Sequence, residues 1–147
     1  MQSSQTGWTI VSGSQRIHYR HDTAIETNTA DRVSIRRMID LRKHIVFPGQ
    51  FVITSVPTLI STVLGSCVSV CLWDRETKVA GMNHYLLPGT WEDDAGNSNR
   101  GMSSIRMLIR SMINRRSNLG NVEANVFGGC NSLYRKNDLF KVGERNV

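Results

Sequence analysis

STVLGSCVSVCLWDRETKVAGMNHYLLP, residues Ser61 to Pro88, decides how the chain is read. Two apolar runs, Val68 to Trp73 and Val79 to Gly81, flank a polar loop, Asp74-Arg75-Glu76-Thr77. Strand, short charged connection and strand is the pattern of a β-hairpin. With Asp74 to Thr77 as the loop, Trp73 faces Lys78, and cross-strand partners have numbers summing to 151. Cys67 and His84 satisfy that sum, so a regular hairpin sets them opposite each other on one face, about 5 Å apart. A one-residue bulge between them would break the match.

A cysteine beside a histidine is a chemical device. The thiolate is the nucleophile, and an ordinary thiol, with a pKa of about 8.5, is mostly protonated at neutral pH. An adjacent imidazole takes that proton, and the ion pair favours the thiolate. Gly65 permits a bend or a close approach by substrate. The backbone N–H groups near Ser66 and Cys67 are candidates for stabilising an oxyanion. The competing reading makes Cys67 a packed core cysteine and His84 a satisfied buried polar group.

Outward from this hairpin, Ile45 to Phe47 and Phe51 to Ile53 read as short strands separated by the Pro48-Gly49 turn, and Leu59 to Val63 leads into the hairpin. Ala30 to Leu41 reads as a short helix begun near Asp31, and residues 1–15 as a polar, mobile tail. Beyond His84 the strand runs to Leu87 and stops at Pro88-Gly89. Thr90 to Arg100 reads as a loop, either bordering the mouth of the site or serving as a solvated connection. In Ser103 to Asn114 the apolar Ile105, Leu108, Ile109, Met112 and Ile113 recur at three and four, an amphipathic helix with Ser103 or Ser104 as its cap. Asn118 to Asn121 reads as a turn, and Val122 to Phe127 as a strand ending in Gly128-Gly129, which brings backbone close to the site or simply turns.

Composition narrows the function. A chain of 147 residues, 39% hydrophobic, suits one domain with a real core. No apolar run reaches a membrane span, and the N-terminus lacks a secretory pattern, so a cytoplasmic location without membrane insertion is expected. Three cysteines, Cys67, Cys71 and Cys130, do not make a disulfide framework. Cys67 and Cys71 lack the second closely spaced pair that a zinc site needs, and Cys71 reads as a packed side chain. The net charge is +6, with Arg16, Arg20, Arg32, Arg36, Arg37, Arg42 and Lys43 near the N-terminus. Acidic residues interrupt them and no nucleic-acid motif accompanies them, so a solvated face or contact with an acidic protein partner is expected instead. His18 and His21 read as surface residues rather than metal ligands.

Several segments together carry a family resemblance: LGSCVSVCLWD (Leu64 to Asp74), GMNHYLLP (Gly81 to Pro88), VFGGCN (Val126 to Asn131), VGERNV (Val142 to Val147) and the approach IVFPGQFVITSVPTLIST (Ile45 to Thr62). In this order they resemble CheD, the chemoreceptor glutamine deamidase family of bacterial chemotaxis. The resemblance covers residues 42–147, leaving 1–41 as an N-terminal extension. It implies hydrolysis of glutamine side-chain amides on methyl-accepting receptors, without a cofactor. Cys67 then takes the family's nucleophile position and His84 its base. The family's third member is a threonine six positions before the cysteine. That position is Ser61 here, which shares the face of Cys67 if the strand is continuous; Thr62 is its rival. For Ser61 to reach the site the chain must bend, at Gly65.

Strand periodicity and the single strong helix suggest an α+β fold; the resemblance implies a mixed, largely antiparallel β-sandwich flanked by helices. Family members continue beyond the GERN-like segment, so the 42–147 domain reads as C-terminally incomplete. Two rival functions stand beside deamidation. One is a non-catalytic chemotaxis protein binding a receptor or a CheC-type phosphatase. The other is a different Cys-His hydrolase, such as a receptor methylesterase.

Overall fold

The structure is a computed structural model and describes residues 6–12, 41–90, 96–130 and 142–147. Among the described residues, seven strands form two open sheets. The first sheet orders β1 (Thr6–Ser12), β4 (Thr58–Leu64) and β2 (Arg42–Ile45), with β1–β4 antiparallel and β2–β4 parallel. The second orders β3 (Phe51–Thr54), β6 (Ala80–Asn83), β5 (Val68–Asp74) and β7 (Val122–Gly128), all antiparallel. Two helices, α1 (Gly101–Asn114) and α2 (Val142–Asn146), complete an α+β fold of mostly antiparallel strands.

β5 explains the layering. All seven of its residues are buried, so both faces are covered. Val68, Val70 and Leu72 point one way, into a core with Leu108 and Met112 of α1, and with Phe51 and Ile53 packed against it. Cys71 points the other way and packs with Val46, Met82 and Ile60, the last a β4 residue of the first sheet. Strand alternation thus sorts one segment between two cores, one under the helix and one between the sheets. The same alternation along β6 sends Asn83 toward α1, where its Nδ2 donates to Ser104 Oγ at 3.0 Å. His84 therefore belongs to the inter-sheet side.

The hairpin forms, but its loop sits one residue later than the sequence suggests. Asp74 N–H donates to the Val79 carbonyl at 2.9 Å, and Lys78 N–H to the Asp74 carbonyl at 3.0 Å. The loop is therefore Arg75 to Lys78, closed by Lys78 in the left-handed region at φ 59°. The cause is the Asp74 side chain. Its Oδ1 accepts from the N–H groups of Glu76 (2.9 Å) and Thr77 (3.2 Å), which makes Asp74 the last strand residue and the cap of the loop. Paired residues such as Cys71 and Met82 consequently sum to 153. Cys67 is not directly opposite His84; Ser69 is. The slip is two residues, an even number, so the strand residues from Val68 onward keep the faces expected of them.

Other expectations are corrected as well. Thr6–Ser12, within the stretch read as a mobile tail, is strand β1, in register with all of β4. Trp8, Ile10 and Val11 supply a β-prone run there, despite the polar flanks. Leu87 does not continue β6; Tyr85 and Leu87 form isolated bridges to Val68 and Arg100. α1 begins at Gly101 with no side-chain cap, and Ser103 and Ser104 are buried inside it. His18, His21, Ala30 to Asp40 and the acidic Glu92 to Asp94 lie outside the described residues.

Candidate active site

The site lies where β4, the end of β6 and the turn before β5 meet. β2 runs parallel to β4, and the Val46 N–H donates to the Ser61 carbonyl at 2.9 Å. This sets the Val46 carbonyl beside Thr62. Thr62, 2% exposed, faces inward, while Ser61 occupies the opposite face of the strand. His84, also 2% exposed, lies against Thr62, with 2.8 Å between Nδ1 and Oγ1.

The hydrogen bonds fix the imidazole tautomer. A threonine hydroxyl has one proton. Thr62 gives it to the Val46 carbonyl at 2.7 Å, so it accepts from His84, and Nδ1 carries the ring proton. Nε2 is left with its lone pair, buried and without a partner among the described residues. This is the form of a histidine base held in orientation by a third group. Thr62, rather than Ser61, is the hydroxyl the structure brings to His84. Ser61 fails on strand parity, and no bend at Gly65 corrects it.

Cys67 sits half-buried in the turn Gly65-Ser66-Cys67, between β4 and β5. All three carbonyls of this turn are tied down. Gly65 O accepts from Cys130 N–H at 2.9 Å, Cys67 O from Gly129 N–H at 3.0 Å, and Ser66 O from Asn146 Nδ2 at 2.9 Å. The N–H groups of Ser66 and Cys67 meet no backbone carbonyl among the described residues. A turn with every acceptor engaged and its donors left over is suited to an anion.

The glycine pair makes this possible. Gly128 has φ 106°, and a Cβ there would lie 2.0 Å from the Cys67 carbonyl oxygen. Gly129 has φ 73°, and its Cβ would meet Val147 Cγ2 at 2.3 Å. β7 therefore touches the Cys67 turn on one side and α2 on the other only because both residues lack side chains. Gly65 has neither constraint: its φ is ordinary, and a Cβ there would meet open space. The conformational demand expected of Gly65 falls on Gly128 and Gly129.

Burial sets the resting protonation. It pushes the Cys67 thiol up, while the residue's own backbone amide pulls the other way. Burial pushes His84 below the ordinary imidazole value, against the pull of the Val46 carbonyl. Both directions favour a neutral thiol and a neutral imidazole at rest, not the preformed ion pair that the sequence suggests. Cys71 is inert by the same logic: burial drives it to about 12, against its contact with Ser69 Oγ. Among the described residues no group of three His, Cys, Asp or Glu side chains is placed to hold a metal ion.

Sequence reasoning missed two contributors. Asn83 Oδ1 accepts from Val70 N–H at 2.7 Å, and Ser69 Oγ donates to the Asn83 carbonyl at 2.5 Å. Side chains thus complete the β5–β6 pairing at the residue before His84. Asn146, whose Nδ2 donates to the Ser66 and Leu86 carbonyls, is the other. Both asparagines lie in segments that carry the family resemblance, GMNHYLLP and VGERNV, but their hydrogen-bond partners emerge only from long-range packing.

Residues 86–147 match the family model described as CheD chemotactic sensory transduction. The chain is 36% identical over 130 residues to the probable chemoreceptor glutamine deamidase CheD of Thiobacillus denitrificans, covering 86% of this chain and 64% of that protein. It is 45% identical over 105 residues to the probable chemoreceptor glutamine deamidase CheD 2 of Chromobacterium violaceum, covering 69% of this chain and 52% of that protein. The Burkholderia thailandensis protein of the same name is 38% identical over 105 residues, with 53% of its length covered. The chain spans about half to two thirds of the length of these relatives. A contiguous match to 86% of the chain necessarily includes Cys67 to His84, which the family model's match does not reach.

Proposed function

The chain is related to the CheD family, and from that premise we propose that it is a chemoreceptor glutamine deamidase with Cys67 as nucleophile, His84 as base and Thr62 as the group that orients the base. One observation carries the reading. The Thr62 hydroxyl, committed to Val46, fixes His84 with Nε2 as a buried lone pair, unpartnered among the described residues.

The mechanism follows from the neutral resting pair. As Cys67 Sγ attacks the amide carbon of a glutamine side chain, His84 Nε2 takes the thiol proton. The carbonyl oxygen becomes negative in the tetrahedral intermediate, and the N–H groups of Ser66 and Cys67 stabilise it. His84 returns its proton to the amide nitrogen, the C–N bond breaks and ammonia leaves. A thioester remains. Water, deprotonated by the same Nε2, attacks it, and the thiol departs with the proton, leaving glutamate. No cofactor enters the sequence. Each turnover places a negative charge and a methylation site on the receptor.

The substrate is the cytoplasmic part of a methyl-accepting receptor, and the chain works in the cytoplasm. No described helix is long and apolar enough to cross a membrane. A CheC-type phosphatase is the regulatory partner this reading implies. The test is mass spectrometry of a receptor cytoplasmic fragment incubated with the protein, beside Cys67→Ala. A glutamine-to-glutamate mass increase that needs Cys67 is expected. No change, with a folded protein and an active relative as positive control, would leave a receptor-binding protein without deamidase activity. Release of methanol from a methylated receptor would instead identify an esterase.

A further inference from the structure

α2 closes on the site through one side chain. Asn146 is 6% exposed, and its Nδ2 donates two hydrogen bonds of 2.9 Å, one to the Ser66 carbonyl and one to the Leu86 carbonyl. Two facing carbonyls admit only the NH2 end of the amide, so its orientation is settled by its partners. The residue is held in turn: Tyr85 Oη donates to the Asn146 carbonyl at 2.7 Å. Asn146 therefore bridges the turn that carries Cys67 to the segment just past His84.

The Ser66 carbonyl shares a planar peptide with the Cys67 N–H, and in a trans peptide the two point in opposite directions. The chain has no cis peptide among the described residues. Pinning that carbonyl from one side therefore aims the N–H to the other. We propose that Asn146 is a positioning residue that aims the Cys67 N–H at the oxyanion, acting through the Ser66–Cys67 peptide. The inference rests on the thioester reading above for its part in turnover, but the geometry it asserts is independent of the substrate.

Its consequences separate from those of a generally loosened fold. Alkylation by iodoacetamide displaces a halide and builds no oxyanion. An aldehyde adding to the thiol forms a thiohemiacetal whose oxygen needs the same donor as the amide intermediate. The experiment compares wild type, Asn146→Ala and Asn146→Asp. The probes are iodoacetamide and a short peptide bearing a γ-aldehyde in place of the glutamine amide. Aldehyde affinity should fall about 10- to 100-fold in both variants, with alkylation of Cys67 within about threefold. Where wild type deamidates, kcat should fall in parallel with KM nearly unchanged. Unaltered aldehyde affinity, equal losses in aldehyde binding and alkylation, or a wild-type thiol that forms no thiohemiacetal overturns the proposal. Wild-type deamidation that fails while the aldehyde pattern holds overturns the deamidase reading alone. Should the variants not fold, hydrogen exchange on the wild-type protein decides it: both Nδ2 protons of Asn146 should be protected, and rapid exchange refutes the bridge.

Discussion

Thr62 has one proton to give, and gives it to Val46; everything about His84 follows from that. Replacing Thr62 by Val keeps the shape but removes the acceptor for Nδ1–H. The ring is then free to carry its proton on Nε2, where it cannot act as base. Thr62→Val should lower kcat about 10- to 100-fold with little change in KM, while Thr62→Ser keeps most of the activity. Ser61→Ala, on the other face, should stay within about twofold. Steady-state deamidation by the three variants checks this, and a larger loss in Ser61→Ala than in Thr62→Val would refute the assignment. The hairpin between Cys67 and His84 was legible, because both of its strands form and pair, two residues off the expected register. The choice between Ser61 and Thr62 was not. It depends on Val46, just past the parallel strand β2 and 38 positions from His84 in sequence, whose carbonyl commits the hydroxyl. A likeness that counts six positions from the cysteine finds Ser61, whereas the fold uses its neighbour.

Strands and helices deliver these residues only because the glycines of β7 let backbones touch. Gly128 has a φ that side chains disfavour, and its missing Cβ is the room taken by the Cys67 carbonyl. Gly128→Ala must push the nucleophile turn away or break the β5–β7 pairing at Val68. It should cost about 1–3 kcal/mol in stability and at least tenfold in kcat. Gly65→Ala, which meets open space, serves as the control and should leave stability nearly unchanged. Denaturant unfolding and turnover of the pair check it; equal effects at the two sites would sink the distinction. At this scale the periodic segments were readable: the helix through Leu108 and Met112, the strand after Asn121, and both arms of the hairpin. β1 was not, because three apolar residues in a polar stretch pattern too weakly until β4 offers them an antiparallel partner. The direction of β2 was equally hidden, since parallel pairing leaves no local turn to read.

The molecule as a whole is fastened by a charge buried at the far end of the hairpin. Asp74 is fully buried, and its carboxylate collects the loop N–H groups of Glu76 and Thr77 together with the Asn118 N–H, 3.2 Å away beyond the end of α1. Burial alone would raise its pKa. The hydrogen bonds from Thr77, the N–H of Glu76 and the Ser117 hydroxyl outweigh that, and the carboxyl is held below its ordinary value. The sign follows from proton linkage. Below the ordinary carboxylate value the unfolded chain binds the proton more readily than the folded one, so stability falls with pH there. The contribution of Asp74 is complete above the ordinary range, near pH 4, and disappears as pH drops through the lower folded value. Asp74→Asn removes one acceptor oxygen and turns an NH2 toward backbone donors. It should lower Tm at pH 7 by about 5–10 °C. As pH falls below the ordinary carboxylate value, near 4, the wild type should begin to lose this advantage, so the two melting curves converge. A scan of Tm against pH for both proteins measures it directly. A gap that stays constant down to pH 2 would mean that the hairpin loop, the end of α1 and β7 are held together by packing rather than by this carboxylate.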